Sequence, residues 1–291
     1  MPFFTFNFSS DYGFFEGSYS IAEKGYHGED RMSLKQFLVM GAIFVFLILL
    51  SVLLRNKKEK LITVYRILSF LMPVLEIGKI IFSTYYDIEH GDGFNWGGIL
   101  PFYTCSMLFY FLPFVAFGKG RLRRFSMAFF TSIGLVAGLS NFIYLSAAGW
   151  YPLWTYGCLY SILFHSVIVF VGLSLLISGL YRPDFKTMYE GLIPVFAFSL
   201  LAIPVNYIVR TIPGNGFADY MLLIDCNGFV PALHGFFADH GLQFLFTLFV
   251  LFVGYPAAHA LVVTLEIGLI RLLSLFGQNK QKKEKEKTAT A

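Results

Sequence analysis

The chain has 291 residues, 56% hydrophobic and 14% charged, with a formal net charge of +4. Soluble domains are nearer a quarter charged and under half apolar, so a water-soluble enzyme, a nucleic-acid binder and a disordered chain all fit poorly. Thirty-five Phe and 17 Tyr have no dry place in one soluble core of this size, but in a bilayer they can face lipid or its interfaces. Three cysteines without a CxxC spacing give neither a disulfide scaffold nor a metal or redox pair.

Residues 1–36 lack a basic start and a continuous apolar run. They are expected to be an external segment on the membrane interface rather than a secretory signal. A membrane-crossing helix needs about 20 apolar residues. That length predicts an all-α bundle of seven spans over residues 37–276: Phe37–Leu54, Leu61–Tyr85, Ile99–Phe117, Phe125–Tyr144, Ser161–Leu180, Leu192–Ile212 and Leu242–Val263. The last apolar run continues to Phe276, so an inner extension is expected after Pro256. Residues 277–291 form a basic, solvated tail.

Arg55–Lys60, Lys119–Arg124, Arg182–Lys186 and Gln278–Ala291 hold 4, 4, 2 and 5 Lys or Arg, whereas Tyr86–Gly98, Leu145–Tyr160 and Pro213–Gly241 hold none. The positive-inside bias makes the first set cytoplasmic. The amino terminus is then outside, the carboxyl terminus inside, and the expected location is the cell membrane.

An ionisable group inside a span is paired, snorkelling or functional. Arg66 is near a span end and is expected to snorkel. Glu76 and Lys79 are three residues apart, on one helix face, with Pro73 and Gly78 nearby to kink it. Cys105 in the third span and His165 in the fifth are placed at one depth, roughly 8 Å below the outer interface. A thiol needs a base to become a nucleophile, and histidine suits that task near neutral pH. The bland alternatives are a small buried hydrophobe and a packing histidine.

Asn141, Tyr144, Ser161, Asn206 and Arg210 gather toward the same side. Amides or Arg there are candidates to hold a developing oxyanion, or serve as glue between helices. His234 and His240 have no carboxylates at ligand spacing, so no metal is expected, and His259 has no assigned role. Cys158 and Cys226 fall in external loops, where an oxidising compartment would let them pair.

The stretch LPFYTCSMLFY (Leu100–Tyr110), the span carrying His165, and the passage from Asn206 to Leu223 containing NYIV and ADYMLL resemble the YwaF family of bacterial integral membrane proteins. That family is related to the eukaryotic polytopic acyltransferase transmembrane protein 164, and more distantly to membrane-embedded Thr/His hydrolases of fatty-acid esters. The resemblance spans roughly Leu61–Leu223. It implies a cysteine nucleophile at Cys105, a histidine partner at His165, an acid at Glu76, and an Asn with an Asp-Tyr-Met passage at Asn206, Asp219 and Tyr220. Many bacterial members carry His-x-Cys, and that histidine position is Tyr103 here. The implied reaction is acyl transfer or lipid-ester hydrolysis on phospholipid or lysolipid acyl esters, with membrane lipids as partners and no cofactor. A transporter or small-molecule-binding protein, with Glu76, Lys79 and Arg210 lining the path, is the alternative. No inverted pair of interrupted spans supports it. A retinal-type sensor fails because Leu242–Phe276 contains no Lys.

Overall fold

The structure is a computed structural model that describes residues 33–89, 96–143, 151–214, 218–224 and 231–271, apart from Asn215 and Phe217 and with a few isolated positions besides. The expected basic tail and nearly all of the expected interfacial segment lie outside these residues, as do Tyr144 and Cys226, while Leu34–Gln36 from the end of that segment already belong to the first helix. Among the described residues every regular element is a helix: α1 (Leu34–Leu54), α2 (Lys58–Glu89), α3 (Trp96–Ile99), α4 (Met107–Phe117), α5 (Gly120–Thr131), α6 (Ile133–Ile143), α7 (Tyr156–Ile177), α8 (Leu192–Arg210), α9 (Pro231–Asp239) and α10 (Gln243–Arg271). Short 3-10 turns fill Phe185–Gly191 and Tyr220–Leu222.

Six stretches are long and apolar enough to cross a membrane: α1, α2 through Phe82, α5 with α6, α7, the turn Phe185–Gly191 with α8, and α10. Their outward surface is apolar, with Leu53 70% and Phe70 69% exposed. A water-soluble surface would not leave such a belt bare, whereas lipid covers it without penalty.

The third expected span is the difference. Instead of one helix over Ile99–Phe117, the chain forms the single turn α3, an irregular stretch over residues 100–106, and the 11-residue α4. Pro101 has no N–H to give to a helix and biases Leu100 away from helical backbone. At 1.5 Å per residue, α4 reaches only about 16 Å, short of the roughly 30 Å hydrocarbon core. Other boundaries move as well, α5 starting at Gly120, five residues before the expected Phe125. α7 starts at Tyr156, five residues before the expected Ser161, so Cys158 is buried in a helix rather than in a loop. α10 runs unbroken past Pro256 to Arg271, taking up the proline through a π-turn at Val250–Gly254. Part of the long loop before α10 is also helical, as α9.

α7 is the central helix and packs on α1, α2, α5 and α6, while α4 lies against α2 and α5. Tyr65 of α2 reaches Ser174 of α7 at 2.7 Å. Since Ser174 gives its own hydrogen to Phe170 O, Tyr65 is the donor. Glycines set the closest approaches to α7. A Cβ on Gly172 would stand 2.5 Å from Phe130 O, and one on Gly138 would stand 2.8 Å from a Val169 methyl. Gly172→Ala is therefore expected to destabilise by about 1–3 kcal/mol, more than the helix-propensity gain of about 1 kcal/mol returns. Gly138→Ala should cost less, because a methyl yields where backbone cannot. Denaturant midpoints in detergent would rank the two.

Candidate active site

Glu76 on α2 is buried and engaged at both oxygens. Lys79 Nζ is 2.7 Å from Oε1, and the Tyr160 hydroxyl of α7 donates to Oε2. The ammonium also lies 5.6 Å from the centre of the Tyr160 ring. The three-residue spacing puts acid and base on one face of α2, and pairing offsets the large cost of desolvating each alone. Tyr156, Tyr160 and Phe164 recur every four residues and stack along α7, with centroids 6.1 and 5.8 Å apart. Tyr156 donates to Leu75 O at 2.9 Å. Gly78 permits this contact, since a Cβ there would sit 3.1 Å from the Tyr156 hydroxyl.

Cys105 is half-buried on the irregular stretch just before α4. Non-helical backbone at membrane depth is tolerated only where protein buries it or it lines a cavity, and here its neighbours hold it. Phe102 stacks on Phe198 at 5.3 Å. Tyr103 meets the Tyr220 ring edge-on at 5.3 Å. Thr104 is 2.9 Å from the Tyr255 hydroxyl, which itself donates to Met221 O at 2.6 Å. The charged neighbours of the Cys105 sulfur are Lys79 and Glu76. Tyr160 is a further neighbour.

His165 sits on α7 five residues after Tyr160, about 7.5 Å along the axis and 140° around it. Its Nδ1 is 2.7 Å from Ser161 O. A carbonyl only accepts, so Nδ1 carries the proton and Nε2 presents its lone pair. Nε2 makes no bond within the described protein and is not among the sealed polar atoms. Phe164 meets Phe109 of α4 at 5.2 Å. With Cys105 beside Tyr160 and Phe109 beside Phe164, α4 and α7 run in the same direction. Among the described residues no hydrogen bond joins the thiol to the imidazole. Cys105 is gathered with Glu76, Lys79 and Tyr160, and His165 with Ser161 and Phe164.

Asn206 is fully buried and grips the backbone of Tyr220 twice. Nδ2 donates to Tyr220 O at 2.9 Å, and Oδ1 accepts from Tyr220 N at 2.7 Å. One turn later Arg210 Nε donates to Ala218 O at 2.6 Å. Two of the residues named from sequence as oxyanion candidates, Asn206 and Arg210, thus hold a loop over residues 218–224. Asp219 accepts from Ile224 N at 2.7 Å within it. Met221 and Leu222 have positive φ of 58° and 52°, a strained conformation for side chains of this size that dense bonding sustains. Tyr220 donates to Trp96 O at 2.6 Å, and burial pushes its phenol up to about 12, so it remains a donor throughout the neutral range. The sequence reading missed Tyr160, Thr104 and Tyr255. The four-residue recurrence of aromatics facing Glu76 was the available signal for the first, and Thr104 and Tyr255 carried none.

Asn141 is buried on α6, and Arg66 stacks on Phe117 at 5.5 Å. His234 Nε2 is 2.8 Å from Gln243, His240 Nδ1 is 2.7 Å from Phe236 O, and His259 Nε2 donates to Met188 O. Among the described residues no three His, Cys, Asp or Glu side chains are grouped to hold a metal ion.

Six apolar crossing-length helices, α7 central among them, with a broken segment held between them, define a multi-pass α-helical membrane protein. Compared with protein-family profiles, the chain matches the TMEM164 family over residues 31–227, well over half its length, and it belongs to that family. No curated protein and no solved structure matches it.

Proposed function

We propose that this protein is a membrane-embedded acyltransferase or lipid-ester hydrolase with Cys105 as nucleophile and His165 as general base. This keeps the relation to the YwaF proteins and the lysophospholipid acyltransferase branch suggested by the Leu100–Tyr110 motif. The observation that carries the reading is the presentation of Cys105. Irregular backbone at the head of α4 holds the thiol half-buried beside the Lys79–Glu76 pair and Tyr160. A neighbouring cation is one of the groups that a thiolate and the oxyanion of acyl transfer draw on.

In the proposed reaction His165 Nε2 takes the thiol proton and the sulfur attacks the ester carbonyl of a lipid. The lysolipid oxygen leaves with the proton from the imidazolium, giving an acyl thioester. His165 then takes a proton from an acceptor lysolipid hydroxyl or a water, whose oxygen attacks the thioester and regenerates the thiol. The Cys–His contact is completed on substrate binding, as catalytic hydrogen bonds often tighten only in the complex. Asn206 and Arg210 support the site by holding the loop that Tyr103 packs on, and Glu76 aligns Lys79 and Tyr160. Asn141 remains a supporting candidate from α6. By the positive-inside bias the site lies in the outer half of a cell membrane, and with the broken segment from Trp96 to Phe117 taken as a seventh crossing beside the six long helices, the amino terminus is outside and the carboxyl terminus inside. The transporter reading loses its free path charges, since Glu76 is committed to Lys79 and Tyr160.

The test is mass spectrometry of Cys105 peptides after incubation with mixed phospholipids. A hydroxylamine-labile acyl adduct is expected, and its absence at every chain length and head group would overturn the reading. Tyr103 supplies a finer check, since a neutral phenol is a poor base where bacterial members carry His. Tyr103→His is expected to raise the rate of adduct formation about tenfold, the low side of general-base effects, measured in a time course.

A further inference from the structure

A second site lies at the other end of the bundle and does not depend on the acyl-transfer reading. Here α4 ends, α5 begins and α7 ends. Gly120, Arg123, Arg124, Met127, Leu180, Tyr181 and Arg182 line an open cavity of about 390 Å³. Two glycines build it. Gly120, with φ of 62°, turns the chain into α5, whose cap residue Lys119 gives no side-chain bond to the first amides. Gly179, with φ of 64°, ends α7 and lets Tyr181 N fold back onto Leu175 O at 3.2 Å. That reversal aims Tyr181 and Arg182 at the start of α5.

The lining has three guanidinium groups and no acid. Arg123 uses Nε on Val115 O, and Arg124 uses Nε on Glu190. Among the described residues the terminal nitrogens of both have no protein acceptor, and Arg182 makes no bond at all. Glu190, Asp184 and Glu266 are the carboxyl neighbours of Tyr181. Glu190 is engaged by Arg124, and Asp184 accepts from Lys186 N. Tyr181 is only 8% exposed, yet its hydroxyl has no hydrogen-bond partner among the described residues and is not among the sealed atoms. The ring is thus packed in place while its hydroxyl stays reachable from the cavity, free to donate to a ligand there. Burial pushes its phenol above the ordinary value, so it stays a donor.

We propose that this cavity binds a phosphate group, through Arg123, Arg124 and Arg182 with the Tyr181 hydroxyl as a fourth donor. Guanidinium forks match phosphate oxygens in geometry and charge, and the uncapped start of α5 adds backbone donors. The phosphate comes either from an anionic lipid headgroup or from a soluble phosphate compound. Basic pockets between membrane helices hold such headgroups.

The test uses the delipidated full-length protein in detergent, titrated with dioleoyl phosphatidic acid, with dioleoylglycerol, or with inorganic phosphate, and read by native mass spectrometry. One phosphatidic acid should bind per chain, with dioleoylglycerol binding at least fivefold more weakly. Arg182→Gln and Arg123→Gln should each weaken phosphatidic acid at least fivefold, and Tyr181→Phe about threefold. Lys57→Gln, a cation at the same end but outside the lining, should leave it unchanged. Displacement of the lipid by millimolar inorganic phosphate assigns the site to soluble phosphates, and resistance assigns it to the headgroup. Equal binding by all variants, or equal loss in Lys57→Gln, would overturn the proposal. If Arg123→Gln misfolds, the exposed Arg182→Gln and the ring-conserving Tyr181→Phe still decide.

Discussion

Cys105→Ser is expected to abolish the hydroxylamine-labile acyl adduct, and His165→Gln to slow its formation by about 10²–10⁴-fold, the usual contribution of a positioned base. The two variants fail for different reasons. Serine leaves a hydroxyl that is a far weaker nucleophile, and any oxygen ester it formed would resist mild hydroxylamine. Glutamine keeps a polar group near Ser161 O but supplies no lone pair able to take a thiol proton. The His165→Gln protein should therefore still be alkylated at Cys105 by a small maleimide, and its adduct rate should recover as bulk pH is raised and hydroxide replaces the missing base. The wild-type rate should respond less steeply over the same range. An adduct rate in His165→Gln equal to wild type would remove the imidazole from the mechanism while leaving Cys105 in place. An unlabelled His165→Gln that also refuses maleimide would indicate a collapsed site.

The membrane architecture was legible because hydropathy and charge act over whole segments. Twenty apolar residues and a basic loop leave one solution for the backbone. The third expected span shows where that logic stops. Residues 99–117 are apolar enough to cross, but Pro101 interrupts them locally, and sliding hydropathy does not register one missing N–H. The pairing of Glu76 with Lys79 followed from helix spacing alone. Its third member, Tyr160, lies 84 residues from Glu76, and only the packing of α7 on α2 brings it there. Arg210 and Asn206 illustrate the reverse case. Polar side chains near a site invite a chemical role, yet the loop that consumes them is built from Ala218 to Ile224, with positive φ at Met221 and Leu222 that no residue pattern announces. Cys105 and His165 were placed at one depth by counting inward from two helix ends. The break before α4 removed one of those ends, and the surroundings of the sulfur came from α2 and the loop instead.

Asn206→Ala tests that loop. It is expected to destabilise the protein by about 2–4 kcal/mol, because it strands the N–H and C=O of the fully buried Tyr220 together, each at about 1–3 kcal/mol. Asn206→Asp should not rescue it. A carboxylate still accepts from Tyr220 N but opposes the Tyr220 carbonyl with a second acceptor, in a position that is 0% exposed. The consequence should spread in a defined order. Tyr220 anchors Tyr103 through its ring and Trp96 through its hydroxyl, so hydrogen exchange should rise first in residues 218–224 and then in 100–106. It should rise little along α1, which packs mainly on α7 and α6. A direct oxyanion role for Asn206 predicts the opposite pattern, with slower adduct formation and unchanged exchange in both segments. Stability and exchange measured on the same preparation thus separate a residue that holds the thiol segment in place from one that touches the reacting carbonyl. The two bonds to Tyr220 favour the first, because an amide already directed at backbone on both of its ends has little left to offer a substrate.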